Sequence, residues 1–145
     1  KVGSILSKKE NKTKDALEFY GKNLGLTFQI ADDALDYNSE LKLFGKEIGN
    51  DFYEGKITLP IILLYQKANK DEKEYLKKFF EKKDRSENEF SKVLTLIKKY
   101  NIINECYKKA EHFINLASNS LSIFKDSKEK EILKNLTSFS LERSF

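Results

Sequence analysis

A chain of 145 residues, 39% apolar and 34% charged, can close one substantial core beneath a heavily charged exterior. Its net charge of +4 rests on lysine, only Arg85 and Arg143 being arginine, and Lys alternates with Glu in KDEKEYLKK and KEKEILK. That is the pattern of solvated helix faces and argues against a nucleic-acid module, which gathers its cations on one stripe and uses arginine forks.

The single cysteine, Cys106, excludes an internal disulfide and reads as a small buried hydrophobe, with no CxxC or His/Cys cluster to suggest zinc. No apolar run approaches the roughly 18 residues of a membrane span and no signal-peptide pattern is present, so a cytoplasmic protein is expected. The sequence contains no methionine, and KVGSIL at its start reads as the middle of a helix without a cap. The expectation is therefore a C-terminal piece of something longer.

In chain order, residues 1–7 read as the end of a helix and KKENK as a polar turn. Thr13 is placed to N-cap the next helix, with Asp15 favourably set in its first turn, and that helix runs to about Asp36. The following segment, NSELKLFGKEIGNDFYEGK, holds Gly45, Gly49 and Gly55, which favours a loop or a short irregular helix. TLPIILLYQKA restarts a helix, with Thr58 as its cap and Pro60 in the first turn, where the missing N–H costs nothing. Four amphipathic helices follow, marked by Tyr75, Phe79 and Phe80; by Phe90, Val93, Leu94 and Ile97; by Cys106, Ala110, Phe113, Ala117, Leu121 and Phe124; and by Ile132, Leu133, Leu136 and Phe139. With no period-two alternation, repeat or linker, residues 1–145 predict an all-α bundle or part of one.

The helix ending at Asp36 carries the feature most in need of explanation. FQIADDALDY places Asp32, Asp33 and Asp36 within five positions, and like charges one turn apart destabilise a helix. At about 100° per residue, Leu17, Leu24, Phe28, Ala31 and Leu35 form one stripe, the expected core face. Gln29, Asp32, Asp33 and Asp36 form a second, with Lys22 further back on the same line, and Leu26 and Ile30 flank the acids. A helix apolar on both sides of its acidic stripe is expected to be buried nearly all round. Buried carboxylates require cations or hydrogen bonds, and an oxygen-only donor set selects Mg²⁺ or Mn²⁺. The pentad alone also fits a solvated acidic face. The downstream GKEIGNDFYEGK adds glycines that let backbone approach a ligand, and Lys46 and Lys56 as point charges for phosphate, although either lysine alone fits an ordinary surface role.

These residues resemble the second aspartate-rich region of the trans-type polyprenyl diphosphate synthases. The shared pattern is FQ-x-x-DD-x-x-D followed by GK-x-x-G-x-D-x-x-x-GK-x-T-x-P, and each position is present; GSILS and YGKNLGLTFQ also look like the family. The likeness covers about residues 2–68, the helical tail being compatible. Tyr37 after the motif and EGK-x-TLP look most like long-chain members, the octaprenyl type among them. The resemblance implies the all-α isoprenoid-synthase bundle, of which 1–145 would be the C-terminal portion. It implies a prenyltransferase adding isopentenyl diphosphate to an allylic diphosphate. Asp32, Asp33 and Asp36 would bind Mg²⁺, Asp32 most directly; Lys46 would bind the diphosphate, Gln29 would lie by the substrates and Lys56 would support the pyrophosphate site. It also implies a homodimer. The family's first aspartate-rich motif, on an opposing helix, is absent, as are its arginines and a Lys-Thr pair upstream of GSIL. The 145 residues alone are thus expected to be inactive, the alternative being a non-catalytic helical subunit that pairs with another synthase chain. Ala34 and Phe44 stand where leucine is commoner, as tolerable apolar variation. His112, the only histidine, is expected on a helix face near the core, the aromatics Phe79, Phe80, Phe113 and Phe124 in it, and Arg143 either at the surface or near a diphosphate.

Overall fold

The computed structural model describes residues 11–38 and 48–142, and every regular element among them is helical. In order these are α1 (Asn11–Asp36), α2 (Asn50–Glu54), α3 (Leu59–Lys67), α4 (Lys70–Glu81), α5 (Glu87–Lys99), α6 (Ile102–Ser120), a 3₁₀ turn (Leu121–Ile123) and α7 (Lys128–Glu142). The chain divides into two compact units, one of Lys1–Gln29 with Lys108–Phe145 and the other Ile30–Tyr107.

Local chemistry sets most of the boundaries. α4 and α5 each open on a reciprocal capping box: the Asn69 side chain accepts from the Glu72 amide at 2.9 Å while the Glu72 carboxylate accepts from the Asn69 amide at 3.0 Å, and Ser86 with Glu89 repeats the arrangement. Thr58 is the extended residue before α3, and Pro60 lies in its first turn as expected, although the Thr58 hydroxyl makes no capping bond. Thr13 does not cap α1. Asn11 and Lys12 are already helical, so the expected turn does not reach them; its remainder, like the helix end at 1–7, lies outside the described residues.

In the first unit Tyr20, Ala117 and Leu121 form a buried cluster, with Leu17, Leu24, Phe124 and Leu133 packed against it. The Tyr20 hydroxyl donates to the Leu133 carbonyl at 2.7 Å, joining α1 to α7. The Thr27 hydroxyl reaches the carbonyls of Asn23 at 3.1 Å and Ala110 at 3.3 Å. Along α1 the buried positions are Tyr20, Asn23, Thr27, Ile30, Ala31, Asp33 and Ala34. That face is rotated by about 100° from the apolar stripe of the sequence, counting ~100° per residue. At Thr27 the helix comes close enough for its hydroxyl to touch the backbone of α6. Phe28 is instead 38% exposed, Leu35 is half-buried and Asp32 is exposed, so α1 is not buried all round.

Two further expectations for this unit are corrected. Ile132, Leu136 and Phe139 of α7 are exposed, the helix turning Leu133 and Thr137 inward. His112 is exposed and Phe113 half-buried, because Ile114 and Ala117 take the inner positions of α6.

The second unit is built around Phe52. Its ring lies 5.3 Å from that of Phe90, 6.0 Å from Phe80 and 6.2 Å from Phe79, edge-on to the latter two, within the range where aromatic pairs add to simple burial. Leu64, Leu76, Val93, Ile102 and Cys106 complete a fully buried core, Val93 and Cys106 as the period of their helices predicts. A five-residue helix such as α2 cannot persist on its own hydrogen bonds. Phe52 anchors it by packing.

Candidate functional site

The three aspartates at the end of α1 have different surroundings. Asp32 is exposed, Asp33 is 8% exposed and Asp36 is half-buried. The Asp36 carboxylate is engaged with backbone: Oδ1 accepts from the amides of Gly49 at 3.1 Å and Asn50 at 3.0 Å, and Oδ2 from that of Asp51 at 2.9 Å. The Asp36 carbonyl also accepts from the Gly49 amide at 2.8 Å. These donors belong to the first turn of α2, whose own partners a helix cannot supply.

Several other described positions of the fingerprint have a local physical reason. Gly49 (φ 91°) and Gly55 (φ 78°) bracket α2 in the left-handed conformation that favours glycine. A Cβ on Gly49 would come within 2.5 Å of the Phe90 ring, and one on Gly55 within 2.6 Å of the Arg85 guanidinium. Arg85 itself donates to the carbonyls of Tyr53 and Phe80, both at 3.3 Å, and lies over the Phe80 ring. The Lys56 amide donates to the Asp51 carbonyl at 2.8 Å, and its ammonium pairs with Asp51 at 3.2 Å and Glu54 at 2.6 Å. The hydrogen bond to Glu54, then that to Asp51, hold the Lys56 ammonium above its ordinary value. Tyr37 is 1% exposed, and burial, reinforced by Asp36, Asp51 and Asp33, pushes its phenol well above the usual range.

Of the residues singled out in the sequence, Asp32, Asp33 and Asp36 share the end of α1, and Asp36 is linked through α2 to Lys56. Gln29 is exposed one turn before Asp33 on the same helix. Lys46, with Phe44 and Gly45, lies outside the described residues, as does Arg143. Asp51 was not singled out, although it stands in the same fingerprint, five positions before Lys56; Arg85 carried no signal of its own. Among the described residues no three His, Cys, Asp or Glu side chains are grouped closely enough to hold a metal ion. The aspartates therefore do not form an all-protein cage. An exposed Asp32 beside Asp33 does fit a hard cation that takes one or two carboxylates and completes its shell with water and phosphate oxygens.

All-helical in its described residues, the chain has the fold of the isoprenyl diphosphate synthases. Over 99% of its length it matches 44% of the polyprenyl synthase of Caulobacter crescentus, solved with calcium and isoprenyl diphosphate, at a TM-score of 0.85 and 31% identity. It belongs to the polyprenyl synthetase family, whose model matches residues 1–97. It is 31% identical to the all-trans-nonaprenyl-diphosphate synthase (geranyl-diphosphate specific) of Rhodobacter capsulatus, across 90% of this chain and 39% of that one. It is 30% identical to the short chain isoprenyl diphosphate synthase of Methanothermobacter thermautotrophicus, across 99% and 43%. The chain thus spans about two fifths of the length of these curated relatives. No helix of the described residues is long and apolar enough to cross a membrane.

Proposed function

We propose that this chain is the C-terminal part of a cytoplasmic prenyltransferase that extends an allylic diphosphate with isopentenyl diphosphate, acting as a homodimer. Family membership supports the reaction class, and Tyr37 with the EGK-x-TLP spacing supports a long-chain, octaprenyl-type product. The observation that carries the reading is the accessibility of Asp32 next to a nearly buried Asp33, at the helix end that holds the fingerprint. Asp32 and Asp33 would hold Mg²⁺, which when bound neutralises charge on the departing diphosphate; such stabilisation supplies several kcal/mol.

The chain's own residues do the rest. Lys56 and Lys46 would bind diphosphate oxygens, Lys56 exchanging its contacts with Glu54 and Asp51 for them. Gln29 would hydrogen-bond the substrates. As the allylic C–O bond breaks, the bonding pair leaves with the diphosphate; the isopentenyl double bond attacks the allylic carbon, and a proton lost from the adduct to the leaving diphosphate restores the alkene.

The test is turnover of allylic and isopentenyl diphosphates by the longer protein and by the 145 residues alone. Elongation by the first and none by the second is expected, and Asp32→Asn in the longer protein should lower kcat/KM by about 10²–10³-fold with its melting temperature unchanged. Failure of the longer protein, aspartates intact, to extend any allylic primer would overturn the reading in favour of the non-catalytic subunit.

A further inference from the structure

We propose that Asp36, the third acid of the motif, is a positioning residue that fastens residues 49–56 to α1, and that it is not a primary metal ligand. The catalytic part of this inference rests on the function proposed above; the structural part stands without it. Oδ1 already accepts two backbone N–H bonds and Oδ2 one, which leaves a single lone-pair direction, on Oδ2, for anything else. An unshared carboxylate such as Asp32 is the better ligand, and a helix N-terminus favours the negative charge that three amides hold in place.

The link has a definite mechanical route. Asp36 fixes residues 49–51; Asp51 then accepts from the Lys56 amide through its carbonyl and from the Lys56 ammonium through its carboxylate. Asp32 lies one turn before Asp36 on the same helix. Asp36 thus sets the distance between the metal-binding acids and the lysine that follows Gly55. Gly49 keeps the Asp36 carbonyl as a second acceptor, whereas the Asn50 and Asp51 amides have only the side chain as an observed acceptor. Those two amides are the specific reporters.

The experiment is amide hydrogen exchange by NMR on the 145-residue chain, comparing the native sequence with Asp36→Asn and Asp32→Asn. An asparagine offers one acceptor where three donors converge, so Asp36→Asn should speed exchange at Asn50 and Asp51 by about 10–100-fold, the value of a charge-assisted bond. Amides of α5 should be unaffected, which controls for unfolding, and Asp32→Asn should leave all of them as they are. If Asp36→Asn unfolds the chain, scalar couplings from the Asn50 and Asp51 nitrogens to the Asp36 carboxyl carbon in the native protein replace it; their absence overturns the inference. In the longer enzyme, Asp36→Asn should raise KM for the allylic diphosphate about tenfold more than it lowers kcat, and Asp36→Glu should recover part of the loss. The Mg²⁺ concentration for half-maximal rate should move less than about twofold, a shift that Asp32→Asn should far exceed. A large Mg²⁺ shift with unchanged exchange would make Asp36 a ligand and sink the proposal. Fast exchange in Asp36→Asn with no elongation by any longer enzyme would reject the reaction and keep the structural link.

Discussion

Gly49 is the residue at which backbone and core make incompatible demands of any side chain, and Gly49→Ala separates the two. At φ 91° and ψ 10° an alanine must adopt the left-handed conformation, at a cost of roughly 1–2 kcal/mol. Its Cβ would also lie 2.5, 2.7 and 2.9 Å from three carbons of the Phe90 ring. That ring cannot simply swing away. Phe90 is 3% exposed, with ring centroids 5.3 Å from Phe52, 5.5 Å from Tyr53 and 6.1 Å from Tyr37. Overpacking of this kind costs about 1–3 kcal/mol, so the total expected is about 2–5 kcal/mol. Urea unfolding followed by circular dichroism should show a lower midpoint with an unchanged slope. Combining Gly49→Ala with Phe90→Leu should remove the steric part but leave the conformational one, giving a coupling energy of about 1–3 kcal/mol. A loss under about 1 kcal/mol for the single variant, or no coupling in the pair, would refute the reasoning.

Gly21→Ala should act in the opposite direction. Gly21 is inside α1, a Cβ there would meet nothing within 4 Å, and the same unfolding assay should show a gain of about 0.5–1 kcal/mol. Acid should expose the Glu72 network: its hydrogen bonds from Lys99, the Tyr100 hydroxyl and the Asn69 amide lower its pKa from 4.5 to about 2. Because the folded-state value is depressed, the stabilisation is complete above 4.5 and is lost as pH falls through about 2. The gap in unfolding midpoint between the native chain and Glu72→Gln should close across that window; a gap that stays constant would show that the charge of Glu72 contributes nothing.

The legible parts of the fold were those decided within a few residues. Helix ends follow from short-range hydrogen bonding, so the stop at Asp36, the restart after Thr58 and the in-turn Pro60 could be read directly. The capping boxes at Asn69 and Ser86 were equally local, each an Asn or Ser three positions before a Glu, and could have been found by that spacing alone. The inner face of α1 could not. Hydropathy ranks Phe28 above Asn23 and Thr27, yet it is Asn23 and Thr27 that turn inward, the Thr27 hydroxyl meeting the backbone of α6, a property of the pair of helices. The same reason misplaced α7, where Ile132, Leu136 and Phe139 were more apolar than the Thr137 that is buried.

The acidic stripe shows how a correct motif can still conceal a division of labour. Repulsion among Asp32, Asp33 and Asp36 was a fair reason to suspect an external cation, because a sequence displays charges and does not display amide hydrogens. Counting donors from the structure changes that inference for one of the three. The Asp36 charge is already met by three backbone N–H groups thirteen to fifteen residues away, and its neighbours in the stripe then face one fewer uncompensated charge. What stands open to solvent is the charge of Asp32, with the nearly buried Asp33 beside it. On the function proposed above, these two carboxylates would form a partial ligand set that water and diphosphate oxygens complete around a hard cation. On the proposal above, the pentad is one structural acid and two candidate ligands, with Asp36 one helical turn past Asp32 and within hydrogen-bond reach of the first turn of α2.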